Sequence, residues 1–190
     1  VLDERSVVVV VGVGGLGHLA LQLLRLRGVG TVVAVDSSPA ARDLARRLGA
    51  DAALATLAEA AGHVEDAAGH RGADLVLDFV GAGATPAEAL SLLAPGGRVS
   101  VIGSGGAHLT VGKNLGLEAG WSVHAPFWGT RAELEQVVRL AQQGHLTVET
   151  TQHRLEDVPA VYEQLRAGSV HGRAVAVPYD LGEDHREEAR

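Results

Sequence analysis

The stretch Val7-Val8-Val9-Val10-Val11-Gly12-Val13-Gly14-Gly15-Leu16-Gly17 decides the fold of this chain. Five consecutive valines read as a strand buried on both faces, because an alternating pattern would mark a strand with one wet face. Gly12 lets the chain turn sharply out of that strand. Gly14 has no Cβ, so another group can approach the backbone there, and Gly17 lets the next helix pack closely on the strand. That helix is expected from about Leu16 to Arg27. Leu16, Leu19, Ala20, Leu23 and Leu24 keep the spacing of one buried face. A second apolar strand, Thr31 to Val35, leads into Asp36, 24 residues after Gly12.

Strand, glycine turn, helix and strand-end acid together form the dinucleotide-binding fingerprint, Gly12-Val13-Gly14-Gly15-Leu16-Gly17 followed by Asp36. The free N–H groups at the helix start would face a diphosphate, helped by a partial positive charge of roughly half a unit. Asp36 can accept hydrogen bonds from ribose hydroxyls and would repel the 2′-phosphate of NADP. Ser37 and Ser38 follow it, with no adjacent Arg or Lys to hold that phosphate. The reading is NAD rather than NADP. Methyltransferases space a glycine loop and an acid similarly, which leaves S-adenosylmethionine as an alternative ligand.

Composition narrows the class further. A chain of 190 residues with 46% hydrophobic residues can bury one ordinary core. Its net charge is −7 and it has no basic stripe, which argues against nucleic acid as a partner. Its longest apolar run is far short of a membrane span, and no basic-then-apolar leader opens the chain. There is no cysteine, hence no disulfide, thiolate ligand or cysteine nucleophile. A cytoplasmic protein is expected. The chain also has no methionine and opens on Val1 close to a buried strand, which reads as a piece of a longer polypeptide or as a non-standard start codon.

Strands and helices alternate along the chain. Strand one is expected at Ser6 to Val11, with later strands at Asp51 to Leu54, Asp74 to Val80, Arg98 to Ile102 and Trp121 to Pro126. Ser38-Pro39 starts a helix that stops near Leu48-Gly49, and an Ala-rich helix follows from about Thr56 to Gly69. Thr85-Pro86-Ala87-Glu88 and Thr130-Arg131-Ala132-Glu133 read as capping boxes, the first opening a helix that runs to about Leu93. Strands around Leu146 to Thr150 and Ala174 to Val177 would flank a helix from Val158 to Ala167. The fold class is α/β: a doubly wound parallel sheet of Rossmann type, order 3-2-1-4-5-6. Residues 1–178 are expected to form one NAD-binding domain, and 179–190 a polar, disordered tail.

Beyond the fingerprint, the ordered segments AVDSSP, ARRLGAD, GADLVLDFVG, LAPGGRVSVIG, PFWGTRAELEQVVRLAQQGHL and LRAGSVHGRAVAVP resemble the coenzyme-binding half of zinc-type medium-chain alcohol dehydrogenases. The likeness is greatest to NAD-dependent secondary-alcohol dehydrogenases and spans Ser6 to Pro178. It implies that Gly12, Gly14, Gly15, Leu16 and Gly17 hold the diphosphate and that Asp36 holds the adenosine ribose, with Arg42 along the adenine. It implies further that Phe79 and Val80 sit by the nicotinamide, that Ile102 and Gly103 offer backbone contacts to its carboxamide, and that Arg173 reaches the diphosphate. Phe127 and Trp128 would line the substrate pocket. From the residues alone, Arg42 and Arg173 are equally surface charges, and Phe127 and Trp128 equally core or interface aromatics.

The resemblance also implies hydride transfer between a secondary alcohol or ketone and NAD, with zinc supplied by an N-terminal domain that is not represented here. The chain shows no zinc ligands of its own, so it is expected to bind NAD without turning over alcohol. Family members associate through the edge strand, so a dimer or tetramer is expected. Two other readings stay open: a stand-alone NAD-binding regulatory module, and a fragment of an NADPH-dependent quinone or enoyl reductase.

Of the remaining polar residues, Asp78 in the run LVLDFVG reads as a buried hydrogen-bonded acid rather than a catalyst. His18 is expected to face solvent at the start of the first helix, as are the surface histidines His63, His70, His145, His153 and His185. Tyr162 is followed four residues on by Arg166 rather than Lys, so the Tyr-Lys pair of short-chain dehydrogenases is absent.

Overall fold

A computed structural model of the chain describes residues 2–69, 71–110 and 120–178. The expected tail at 179–190, with His185, and also His70, lie outside the described residues. The chain divides into two compact units, Val1–Thr147 and Val148–Arg190.

The first unit is a six-stranded sheet in the order β3-β2-β1-β4-β5-β6, in which every neighbouring pair is parallel. The strands are β1 (Val7–Val11), β2 (Thr31–Val35), β3 (Ala52–Leu54), β4 (Ala73–Asp78), β5 (Leu93–Val101) and β6 (Ser122–His124). The helices are α1 (Gly17–Leu26), α2 (Pro39–Arg47), α3 (Leu57–Ala67), α4 (Thr85–Ser91) and α5 (Arg131–Gln142). This is the doubly wound topology the alternating pattern predicts.

The valine run explains how the core divides. All five valines are buried, and side-chain alternation sends them to opposite faces of the sheet. Val7, Val9 and Val11 join the apolar cluster containing Leu57 and Val64 of α3 and Ala89 of α4. Val8 and Val10 join the cluster containing Leu21 and Leu24 of α1 and Ala41 and Ala45 of α2. One strand therefore seeds both layers.

The rotation of α1 differs from the expectation. Its buried residues are Gly17, His18, Leu21 and Leu24, while Leu16 is 47% exposed. The cause is a backbone contact: a Cβ at Gly17 would collide with the Gly12 carbonyl oxygen. Gly17 must face the strand, and Leu21 and Leu24 follow on the same side of the helix. His18, expected in solvent, is fully buried.

Helix starts behave unequally. Ser38 caps α2 with Pro39 at its first position, Thr56 caps α3, and Thr130 and Glu133 make the complete capping box of α5. The box expected at Thr85 does not form. Thr85 is the first helical residue of α4, its cap position is Ala84, and its hydroxyl is diverted to Asp78 and to the Ala82 carbonyl. The strand expected from Arg98 begins earlier, at Leu93. Leu93 pairs with Ala73, and pairing resumes at Arg98 opposite Leu75 after an irregular step through Pro95-Gly96-Gly97.

The second unit pairs β7 (Thr150–Arg154) in parallel with β8 (Arg173–Val177), joined through a short 3₁₀ turn and α6 (Val158–Arg166). The first of these strands lies C-terminal to the Leu146 to Thr150 expectation. Leu146 is buried and precedes the strand, whereas the strand itself reads Thr-Thr-Gln-His-Arg and carries no apolar alternation.

Candidate dinucleotide cleft

The C-terminal ends of β1, β2, β4 and β5 lie side by side, and the strand order reverses between β1 and β4, where open α/β sheets place their ligands. A cleft of about 280 Å³ opens there. Gly12, Asp36 and Val80 line it, together with Thr56, Thr85 and Glu88. In the sequence the last three have no part in a site: Thr85 and Glu88 read there as a capping box, and Thr56 as the start of an Ala-rich helix.

Gly12 turns with φ +85°, and a Cβ added to it would lie 2.8 Å from the Val80 Cγ2. Gly14 is different: a Cβ there would meet nothing within 4 Å. The space over Gly14 is open and the residue is exposed. The N-cap of α1 is Leu16, which supplies no side-chain cap. Among the described residues, the amides of Gly14, Gly15, Leu16 and Gly17 donate to no protein acceptor. A helix start left uncapped beside an open glycine is a ready seat for an anion.

Asp36 stands at the tip of β2. Its Oδ2 accepts from the Val13 amide at 2.8 Å and its Oδ1 from the Ser38 amide at 2.8 Å. An ionised carboxylate offers about four acceptor positions, so each oxygen keeps capacity for one further hydroxyl. The Arg42 Nη1 donates to the carbonyls of Asp36 and Ser37, both at 2.8 Å, and so folds back over the β2–α2 loop.

The opposite wall is organised by Asp78, which is fully buried at the end of β4. Its Oδ1 accepts from the amides of Val80 and Gly81, and its Oδ2 from the Thr85 hydroxyl, each at 2.9 Å. Its carbonyl accepts from the amides of Ile102 and Gly103 at 2.7 and 3.0 Å. The buried, hydrogen-bonded role anticipated for Asp78 is what the geometry shows. It also means that the amides of Ile102 and Gly103 are already engaged within the chain. Phe79 packs half-buried against the α1 side of the core.

The other expected site residues come later in the chain. Phe127 and Trp128 meet edge-to-face at 5.8 Å and are 88% and 86% exposed, and Trp128 has φ +60°, rare for a bulky residue. Arg173 opens β8 in the second unit, where its amide donates to the Glu149 carbonyl. Among the described residues, no three His, Cys, Asp or Glu side chains gather as a metal-ligand set, and no helix is long and apolar enough to cross a membrane.

Residues 15–143 match the sequence profile of the family described as zinc-binding dehydrogenase. The chain is 32% identical over 177 residues to an NAD-dependent alcohol dehydrogenase of Sulfolobus acidocaldarius, covering 92% of this chain and 51% of that protein. It is 30% identical over 182 residues to a D-arabinose 1-dehydrogenase (NADP(+)) of Saccharolobus solfataricus, covering 92% of this chain and 50% of that protein. The crystal structure of an alcohol dehydrogenase from Aeropyrum pernix superposes with TM-score 0.86 at 36% identity, over 93% of this chain and 51% of that one. The chain thus spans about half the length of the relatives it matches.

Proposed function

Because the chain belongs to the zinc-binding dehydrogenase family and forms its coenzyme-binding half, we propose that it binds NAD for hydride exchange with a secondary alcohol or ketone. The observation that carries this reading is the uncapped start of α1, set beside the open face of Gly14 and the carboxylate of Asp36.

Each residue's part follows from its position. The amides of Gly14, Gly15, Leu16 and Gly17 hold the diphosphate, with the dipole of α1 behind them. The two spare acceptor positions of Asp36 take the adenosine ribose hydroxyls, and its charge disfavours a 2′-phosphate. Arg42, turned onto two backbone carbonyls, stiffens the loop under the adenine. Val80 presents an apolar surface, 39% exposed, that keeps water from the nicotinamide side of the cleft. Bound NAD supplies the chemistry as a two-electron hydride acceptor.

The described residues do not fit a zinc ion, and the chain has no cysteine. In this reading the metal ligands and most of the substrate pocket lie in the half of the relatives that this chain does not match, and the chain by itself does not turn over alcohol. Arg173 approaches the diphosphate, and Phe127 and Trp128 face the substrate. Self-association as a dimer or tetramer in the cytoplasm completes the reading. The short, exposed edge strand β6 supports that last part.

A titration of the purified chain with NADH and with NADPH, followed by nucleotide fluorescence, tests the proposal. Saturable NADH binding at least about tenfold tighter than NADPH, or 1.4 kcal/mol, is the expected result. A chain that melts cooperatively yet binds neither nucleotide would reject it. Tighter NADPH binding would favour a quinone or enoyl reductase fragment instead.

A further inference from the structure

His18 is fully buried in the first turn of α1, and its Nδ1 lies 2.7 Å from the Gly14 carbonyl oxygen. A carbonyl can only accept, so Nδ1 carries the proton in this contact. The His18 amide also reaches that oxygen, but at 3.3 Å. The imidazole makes the shorter and better bond, so the side chain is the main restraint on the Gly14 carbonyl.

That restraint has a geometric consequence. The Gly14–Gly15 peptide is trans, and across a trans peptide the C=O and the following N–H point in opposite directions. Holding the Gly14 carbonyl toward His18 therefore turns the Gly15 N–H away from the helix. An ordinary N-cap would steady this turn by occupying amides, as Ser38, Thr56 and Thr130 do at α2, α3 and α5. At α1 the steadying bond is made on the acceptor side, and the donors stay free.

We propose that His18 is a positioning residue for the dinucleotide's diphosphate, acting through the Gly14–Gly15 peptide plane. The proposal rests on the dinucleotide reading above. It concerns orientation of the loop and not contact between the imidazole and the ligand.

Three variants of the chain separate this role from simple packing. His18→Leu keeps an apolar filling and removes the donor. His18→Asn puts an amide N–H where Nδ1 stands. His18→Gln puts one further out, near the position of Nε2. NADH affinity and melting temperature are measured for each. His18→Leu and His18→Gln are expected to weaken NADH binding by about tenfold, the net size of one hydrogen bond, and His18→Asn to recover most of it. The ¹⁵N spectrum of the wild-type imidazole above neutral pH is expected to show a protonated Nδ1.

Equal affinity in all three folded variants overturns the proposal. So does an affinity loss that follows melting temperature regardless of where the donor sits, or an imidazole protonated only at Nε2. A wild-type chain that folds but does not bind NADH fails the parent reading, and this inference falls with it. Wild-type binding with indifferent variants fails the inference alone.

Discussion

Asp36 accepts the Val13 amide hydrogen at 2.8 Å, which ties the tip of β2 to the middle of the glycine turn after β1. The residue expected to read the ribose is thus also a strut of the loop expected to read the diphosphate.

Removing that carboxylate is expected to have two separable effects. Asp36→Ala should weaken NADH binding by at least about tenfold, or 1.4 kcal/mol. It should also cost about 1–3 kcal/mol of stability, because the buried Val13 amide loses its acceptor. Asp36→Ser should move preference toward NADPH. Nucleotide titrations paired with urea melts measure both effects, and an unchanged NADH affinity in a folded Asp36→Ala chain would remove Asp36 from the site.

The two glycines flanking the turn should respond in opposite ways. Gly14→Ala meets no protein atom within 4 Å, so its melting temperature should stay close to wild type while NADH binding is lost. Gly17→Ala collides with the Gly12 carbonyl and should prevent cooperative folding. Circular dichroism melts and a binding assay on both variants decide the matter, and a Gly14→Ala chain that binds normally would show that no ligand approaches there.

The Asp78–Thr85 contact should be worth a measurable amount. Thr85→Val deprives a fully buried carboxylate oxygen of its donor, at about 1–3 kcal/mol. Asp78→Asn should be milder than Asp78→Ala, since its carbonyl can still serve the Val80 and Gly81 amides while Thr85 turns to accept. Chemical denaturation ranks the three, and a Thr85→Val chain as stable as wild type would mean that the hydroxyl contributes nothing there.

Acid should loosen α5 in a predictable window. The Thr130 amide, and then its hydroxyl, hold the Glu133 carboxyl below its ordinary value. A depressed folded-state pKa gives a contribution that is full above the unfolded value and fades as pH falls through it toward the lowered one. Glu133→Gln should be less stable than wild type near neutrality, where the contribution is full, and the difference should fade in acid as the wild-type carboxyl protonates. Melting temperatures across the acid range check this, and identical slopes for variant and wild type would contradict it.

Much of this architecture is legible from residues alone, for identifiable reasons. The valine run of β1, the glycine turn and the acid at the tip of β2 are local patterns whose meaning changes little with context. The sheet order follows from them through handedness. What escaped local reading was set by tertiary contact. His18 looked like a solvent-facing helix residue because the leucines of α1 offer two overlapping stripes, and only the collision at Gly17 chooses between them. Thr85 had the signature of a cap, but a buried carboxylate seven residues earlier claimed its hydroxyl. The strand at Thr150–Arg154 is polar, so its pairing with β8 left no periodic trace.

The far wall of the cleft has a thermodynamic consequence. Five donors, from Val80, Gly81, Thr85, Ile102 and Gly103, converge on the carboxylate and carbonyl of Asp78. Those bonds are all made within the chain, so a nucleotide entering the cleft would not have to order that wall, and its association would be spared that conformational entropy. Whatever motion accompanies coenzyme capture would carry the ends of β4 and β5 as one piece, with the flexing left to segments that Asp78 does not hold.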